Sequence, residues 1–498
     1  MKLFDRLALA WSLLIGGLLF AMFRTHGFDD PYITYRYAAN IAKGFGFVYN
    51  PSLHVLSTTT PLYALLLALP AWLGLDLPLV SNAIGCASMA AGSLALWHVG
   101  RGLARPLVGG VALLIYPTMQ LIVGTIGAET SICIALILWG CVGWLDGRYR
   151  RAALLFGLAT LVRADGLVAM GTAVLYTFID RLSAPDTVPP STVHRLSPIA
   201  DRLSSASFWR SLPWGALMLY CGVLLPWLIF AGLYFGSLLP ATLVAKQLQG
   251  DLAVSSGFLG RLALLAGDYW AAAQFRPLIG CAIVGLGYAL VRHDGWWLPL
   301  SWNLLYSVGY TVLGVSSYFW YYAPLAVGVA ILAGLGVEAS WHGLRRLFGS
   351  RPAAVMAGLL IIALVGLQGR ALLVSQTIRD QRLVVYREVG EWLRAQTPTT
   401  ATVGALEVGI IGYYSERPMI DFAGLIQPDV ARQFSPTTSF ADGARYAIER
   451  YLPSYVALPE GLLAVEETAR TLGGRCTRAA DFGAGRLAVV TVIYSCEW

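Results

Sequence analysis

The sequence predicts an α-helical polytopic membrane protein with a C-terminal soluble α/β domain, and two observations carry this prediction. The chain is 57% hydrophobic and only 13% charged over 498 residues, whereas soluble domains carry about 25% charged residues. The charged residues are also unevenly spread, since they make up one residue in ten over 1–370 and one in five over 371–498. We therefore expect a membrane-embedded part over 1–370 and a water-soluble domain over 371–498.

Apolar stretches long enough to cross about 30 Å of hydrocarbon follow one another along residues 1–370. They lie near 7–23, 79–98, 107–124, 130–146, 212–235, 277–292, 296–314, 322–341 and 353–370. Residues 152–179 are predicted to form a hairpin of two further short helices, broken at 163–166. The stretch 61–76 contains Pro70 and is predicted to be a re-entrant or surface helix. The total is about eleven transmembrane helices.

Positive charge sets the expected direction of these spans, because cytoplasmic loops are enriched in Lys and Arg. Four loops are basic, at 101–105, 148–151, 181–210 and 345–351. The side that holds them carries fifteen basic residues and the opposite loops carry seven. We therefore expect a multi-pass protein of the plasma membrane with a cytoplasmic N-terminus and an extracytoplasmic C-terminal domain.

Ionisable groups at membrane depth are costly and usually functional, and here they gather on the side predicted to be outside. The acids at 29 and 30 follow the first span and begin the first outer loop, 24–60. Asp30 precedes Pro31 and can be the N-cap of an amphipathic interfacial helix over 32–43. Asp29 has no such explanation and can act as a general base towards a hydroxyl group. Both are candidate catalytic residues.

The cations on the same side suit an anionic headgroup, because Arg and Lys bind phosphate through charge and donated hydrogen bonds. The candidate residues for binding the substrate and its phosphate are Arg163, Lys246, Tyr321, Tyr322, Glu129, Asp165 and His54. Structural alternatives stay open for four of them. Arg163 and Asp165 can form a self-contained ion pair. Lys246 belongs to the predicted outer loop 236–261 and can extend to water at the interface. Glu129 can favour the start of the helix at Thr130.

A divalent cation is a further option for the same side of the protein. Asp29, Asp30 and Glu129 could supply the hard oxygen ligands that Mg²⁺ prefers, and Mn²⁺ is an equal candidate. Their spacing in the sequence does not decide between a metal site and separate roles.

Several motifs together resemble the GT-C class of membrane glycosyltransferases, which includes protein O-mannosyltransferases, the lipid A aminoarabinose transferase and mycobacterial arabinofuranosyltransferases. The most specific is the run FDDPYITYRYA at 28–38. The others are GFGFVYNP at 44–51, TTTPLY at 58–63, LVRADG at 161–166, FGSLLPAT at 235–242 with Lys246, and FWYYAP at 319–324. In the tail, 407–414 and 420–425 resemble the first strands of the family's outer domain.

The resemblance implies inverting transfer of a sugar from a polyprenyl-phosphate donor to an extracytoplasmic acceptor, a glycan, lipid or protein hydroxyl, with a first-loop aspartate as base. The chain departs from the pattern at Ala241, where the family has Asn. It also has Leu56 and Ser57 where relatives carry an acid, with His54 nearby. A lipid-linked donor agrees with the outward site, because no nucleotide-binding glycine motif is found on the predicted inner side.

Two other functions were weighed against the glycosyltransferase. A transporter or flippase of lipid-linked saccharides would need polar residues through the bilayer midplane, whereas the charges gather at the outer ends. A scaffold or sensor would leave the acids, Arg163 and Lys246 without a shared purpose. No basic run interleaved with aromatic residues indicates nucleic acid.

The tail is predicted to be a small α/β domain because the hydrophobic period changes near residue 380. Helices are expected at 384–394, 441–451 and 462–471, and strands at 403–406, 419–422, 455–457 and 487–494. Glu407 and Asp421 lie at strand ends. Cys476 and Cys496 can form a disulfide if the domain lies outside the cytoplasm.

Overall fold

Apolar runs fold as helices here because lipid offers no partner for backbone polar groups, and a helix satisfies them internally. The computed structural model describes residues 3–51, 53–183, 203, 206–292, 294–378 and 380–498, so part of the basic loop 181–210 lies outside the described residues. The helices of the first part are α1 (Leu3–Phe23), α2 (Asp30–Ala42), α3 (Pro61–Trp72), α4 (Leu77–Gly102), α5 (Pro106–Ile115), α6 (Gln120–Val123), α7 (Thr130–Leu145), α8 (Tyr149–Val162), α9 (Leu167–Ser183), α10 (Ala206–Ser211), α11 (Trp214–Phe235), α12 (Ala241–Gly250), α13 (Phe258–Ala271), α14 (Arg276–Val291), α15 (Trp297–Leu313), α16 (Leu325–Phe348) and α17 (Ser350–Thr377).

These helices make a multi-pass membrane protein. Within the described ranges, six helical stretches are long and apolar enough to cross a membrane: Leu3–Phe23, Leu77–Gly102, Trp214–Phe235, Ala273–Val291, Phe319–Phe348 and the stretch that begins with α17 at Ser350. Each predicted span falls on a helix except 107–124, which is broken. There α5 ends at Ile115 and a 3-10 turn with Pro117 precedes α6, because proline cannot continue the hydrogen-bond ladder. The count of eleven stays a prediction.

The hairpin at 152–179 is confirmed as two helices with a break at the predicted place. Helix α8 ends at Val162, Arg163 is extended, and a 3-10 turn at Ala164–Gly166 leads into α9. The turn lies against α8, since a Cβ on Gly166 would meet the backbone of Ala159 and Thr160 at 2.7 Å. Glycine is therefore required for this close approach.

Two segments differ from their predictions. Helix α2 was expected to lie at the interface with a solvated polar face, but its residues from Pro31 to Ala38 are all buried. Even Arg36 is only 4% exposed, because the C-terminal part covers this face. The stretch 236–261 was expected to be a loop, and it contains α12 and the start of α13.

The C-terminal part is the predicted α/β unit, with a five-stranded mixed sheet in the order β2-β1-β3-β5-β4. Its elements are α18 (Gln381–Gln396), β1 (Val403–Ala405), α19 (Gly409–Ser415), β2 (Met419–Asp421), α20 (Pro428–Ala431), α21 (Phe440–Tyr451), β3 (Tyr455–Pro459), α22 (Val465–Thr471), β4 (Arg475–Phe482) and β5 (Thr491–Glu497). Strand β4 was not predicted, and the strand expected at 407–414 is wrong because α19 occupies it. Cys476 and Cys496 lie opposite each other on β4 and β5 and form a disulfide.

The first loop and the C-terminal part share one interface and one hydrophobic cluster, which includes Tyr49, Val403 and Met419. The amide of Asn50 bonds both polar backbone atoms of Met419, at 2.7 and 2.9 Å. Tyr49 Oη donates to the carbonyl of Val408 at 2.5 Å. The first loop and the C-terminal part therefore share a hydrophobic core and direct hydrogen bonds, as elements of one domain do.

The N-terminus of α19 rests on Asp29. The backbone N–H groups of Gly409 and Ile410 donate to the Asp29 carboxylate at 3.0 and 2.7 Å, which suits a negative charge at a helix start. This approach requires glycine, because a Cβ at 409 would lie 2.0 Å from the carbonyl oxygen of Asp29.

Gly409→Ala is expected to destabilise the attachment of the C-terminal part by about 2 kcal/mol, because the added methyl group overlaps the Asp29 backbone. The measurement is thermal unfolding of the purified full chain in detergent. Gly369→Ala is the control, since its Cβ would meet nothing within 4 Å. Equal melting temperatures for the two variants would contradict the assigned contact.

Asp421 closes the loop after β2 and is fully buried. Its carboxylate accepts the N–H groups of Ala423 at 2.8 Å and Ile426 at 3.0 Å. Burial raises the pKa of Asp421 to about 6, although the backbone N–H groups oppose the shift. The folded protein therefore holds a proton here at a pH where the unfolded chain has released it.

This raised pKa predicts a pH dependence of stability. Wild type should lose stability as the pH rises from about 4 to about 6, by about 1.4 kcal/mol for each pKa unit. Asp421→Asn lacks this titration. The melting temperature of the variant minus that of wild type should therefore increase as the pH rises across this range. Other carboxylates titrate in both proteins and cancel in the difference. A difference that does not change with pH would show that Asp421 stays ionised.

Candidate functional site

Two cavities lie side by side where the first loop, the 163–166 turn, α12 and the C-terminal part meet. The first cavity holds about 330 Å³ and is lined only by the first part of the chain, including Asp30, Glu129, Arg163, Asp165, Lys246 and Tyr321. The second holds about 300 Å³ and lies between the two parts of the chain. Asp30 and Trp320 line both cavities. The predicted convergence of the charged residues is therefore observed for most of them.

Arg163 is held in the wall of the first cavity by the break between α8 and α9. Its Nε atom lies 2.8 Å from Asp165 Oδ2, and its Nη1 atom donates to Thr130 Oγ1 at 2.8 Å. Glu129 is farther away, at 3.6 Å from Nη1. The alternative of an Arg163–Asp165 pair is thus present, and the pair also lines the cavity.

Lys246 projects from α12 into the same cavity with only 13% of its side chain exposed, so it does not extend to water as the alternative required. Its Nζ atom lies 3.4 Å from Asp30 Oδ1. Three aromatic rings surround the ammonium group, with centroids at 5.2 Å for Tyr318, 5.3 Å for Trp320 and 5.6 Å for Tyr321. These π faces attract the cation and hold it beside the acid.

The two acids of the first loop have different environments. Helix α2 begins at Asp30 and Asp29 takes the N-cap position, so the prediction that Asp30 is the N-cap is wrong by one residue. Asp29, which seemed to have no structural task, has both oxygen atoms bonded to N–H groups of α19. Asp30 faces both cavities with 35% of its side chain exposed. Asp29 lines only the second cavity, and both its oxygen atoms are engaged, so Asp30 is the first-loop carboxylate that faces both cavities with an oxygen atom free of backbone bonds.

A second carboxyl group, Glu407, lies beside Asp29. Burial and the Glu407 charge raise the pKa of Asp29 well above its usual range, although the N–H groups of Ile410 and Gly409 oppose this. Burial raises the pKa of Glu407 as well, against the nearby Arg382. Two neighbouring carboxyl groups that are partly withdrawn from water disfavour each other's ionised form, so both pKa values rise. This arrangement suits an anchor between the two parts of the chain.

Two predicted site residues lie outside the cavities. His54 is exposed and packs edge-on against Tyr234, with ring centroids 4.5 Å apart. Tyr322 is 1% exposed, donates to the carbonyl of Phe258 at 2.9 Å and stacks on that ring. Neither side chain lines either cavity, and a substrate contact by His54 or Tyr322 stays a prediction.

Sequence reasoning missed other lining residues, notably Thr242, Tyr310 and Gln249. Thr242 could have been found, since it precedes Lys246 by four residues and shares its face of a helix. Tyr310 bridges Arg163 Nη2 at 3.2 Å and Asp165 Oδ2 at 2.8 Å. Gln249 bonds the carbonyl of Ala423 and the hydroxyl of Tyr318. The last two come from α15 and the end of α12, and only the fold brings them to the site.

The three acids proposed as metal ligands are engaged with separate partners: Asp29 with N–H groups, Asp30 with Lys246 and Glu129 beside Arg163. Over the part of the chain that the structure describes, no three His, Cys, Asp or Glu side chains are close enough to hold a metal ion together. A divalent cation on these acids stays a prediction, and no step below depends on it.

A family model described as a domain of unknown function, DUF8728, matches residues 376–491. This match lies inside the C-terminal part. No curated protein has detectable sequence similarity to the chain.

Solved structures resemble the whole chain. Crystal structures of ArnT from Cupriavidus metallidurans match with TM-scores of 0.62 when bound to undecaprenyl phosphate and 0.60 in the apo state, at 12% and 14% identity. Each match covers 98% of this chain and 97% of the other. The Archaeoglobus fulgidus oligosaccharyltransferase, in complex with Zn and sulfate, matches with a TM-score of 0.55 at 13% identity, over 90% of this chain and 68% of the other. Both are GT-C glycosyltransferases, and this chain has the GT-C fold.

Proposed function

We propose that this protein is an inverting glycosyltransferase that moves a sugar from a polyprenyl-phosphate donor to a hydroxyl group on an extracytoplasmic acceptor. The observation that carries the proposal is the position of Asp30, whose carboxylate faces two adjoining cavities and contacts Lys246. The likeness to ArnT bound to undecaprenyl phosphate supports a lipid-linked donor. The disulfide between Cys476 and Cys496 supports an oxidising compartment for the C-terminal part.

In this proposal the donor occupies the first cavity and the acceptor enters from the second. The carboxylate of Asp30 takes the proton of the acceptor hydroxyl as its oxygen bonds to the anomeric carbon of the sugar. The bond from that carbon to the phosphate oxygen breaks, and the polyprenyl phosphate leaves with the electron pair. Lys246 and Arg163 stabilise the charge that develops on the phosphate.

The choice of base is testable with paired variants. Asp30→Asn should lower sugar transfer about 100-fold or more, because a positioned general base contributes on that scale. Asp29→Asn should lower the melting temperature, because its amide nitrogen would face an N–H donor of α19. The assay is release of polyprenyl phosphate from a panel of lipid-linked sugars by the full chain in nanodiscs, with exposed Asp251→Asn as control.

If Asp29→Asn kept its melting temperature and lost transfer while Asp30→Asn stayed active, the base would be Asp29. If wild type used no donor in a wide panel, the transferase itself would be refuted. Transport of a labelled lipid-linked saccharide across liposomes, unaffected by Asp30→Asn, would favour the flippase.

The two cations are expected to respond differently. Lys246→Met should lower turnover about 100-fold with little change in melting temperature, since it removes charge opposite the leaving phosphate while Asp30 stays partly exposed. Arg163→Met should lower both turnover and melting temperature, because it leaves Asp165 buried without its ion-pair partner. The rate of sugar transfer is measured by single-turnover kinetics and the melting temperature by intrinsic fluorescence, so the effects on catalysis and on stability are separated. Equal effects of both variants on melting would contradict the assignment.

A further inference from the structure

Both cations of the first cavity already contact acids of the protein, so a phosphate bound there needs further donors. Arg163 contacts Asp165 at 2.8 Å and Lys246 contacts Asp30 at 3.4 Å. With Glu129, the lining carries three carboxyl groups against two cations. A phosphate therefore needs donors that are not committed to an acid of the protein.

Thr242 supplies such a donor. Its side chain belongs to the lining of the first cavity and is 5% exposed, and its Oγ1 atom has no hydrogen-bond partner among the described residues. A helical threonine usually donates to the carbonyl four residues earlier, but α12 begins at Ala241, so position 238 lies outside the helix. An unpaired buried hydroxyl is unfavourable, and a rotation about the Cα–Cβ bond can offer it to a ligand.

The start of α12 adds a second donor at the same place. The N–H of Ala241 donates to the carbonyl of Leu56 at 2.7 Å, and that of Leu243 donates to Pro240 at 3.0 Å. The N–H of Thr242 is in the first turn and has no acceptor inside the helix. Helix N-termini attract anions through such N–H groups and the helix dipole. Lys246 follows one turn later on the same face.

We infer that the phosphate group of the donor binds at the N-terminus of α12, between the hydroxyl and N–H of Thr242 and the ammonium group of Lys246. This rests on the proposed function and specifies its donor site. Thr242 is then a substrate-binding residue that recognises the phosphate and not the sugar.

The test compares Thr242→Val, which keeps the shape and removes the hydroxyl, with Thr242→Ser, which keeps the hydroxyl. Binding of undecaprenyl phosphate to the full chain in nanodiscs should weaken about tenfold in the valine variant and about twofold or less in the serine variant. Inorganic phosphate should compete with the lipid more weakly in the valine variant than in wild type. Thr172→Val is the control, because that hydroxyl donates to the carbonyl of Val168 at 2.7 Å and lies outside both cavities.

The ligand-free valine variant should melt at the same temperature as wild type or higher, because an unpaired buried hydroxyl is removed. A purely structural threonine would give a lower melting temperature and an unchanged affinity. The inference is overturned if the valine variant binds the lipid as wild type does, or if inorganic phosphate competes equally in both. If wild type itself bound no polyprenyl phosphate, the proposed function would fall together with this inference.

Discussion

A half-buried carboxylate, that of Asp29, accepts two backbone N–H groups and joins the two parts of this protein. Burying an unpaired charge is expensive, so Asp29 can be covered only if α19 presents its N-terminus to it, as Gly409 and Ile410 do. The raised pKa values of Asp29 and Glu407 lower the charge that this contact has to hold. Because Asp30 is the next residue, the same contact fixes the second acid at the junction of the two cavities. The geometry of the site thus depends on how the C-terminal part is attached.

The membrane architecture could be predicted because it depends on length and composition. Apolar runs, basic loops and the break at 163–166 are visible in the sequence, and the hairpin of α8 and α9 followed from them. The polar face of α2 was predicted wrongly because its burial depends on tertiary packing and not on length or composition. Whether Arg36 meets water or the carbonyl groups of Tyr49 and Gly412 is decided by a segment almost 380 residues away.

The sequence predicted which residues lie at the candidate site better than it predicted what each of them contacts. Arg163, Lys246, Asp165, Glu129 and Asp30 do line one cavity, because membrane insertion brings the loops of one side to a common face. The partner of each group is a property of the packed protein. Asp29 looked free in the sequence for this reason, and His54 and Tyr322 looked available although neighbouring rings occupy them.

The walls of the two cavities come from different stretches of chain. Every residue lining the first lies between 30 and 321, whereas the second takes most of its lining from 380–440. Substitutions in that later stretch can reshape the second cavity and leave the first unchanged. Under the proposed function, a lineage could exchange its acceptor while keeping its donor. The first part of the chain would then keep the donor site and the chemistry, while the C-terminal part varies the acceptor site. Asp30, which lines both cavities, would be the residue that every such variant has to keep.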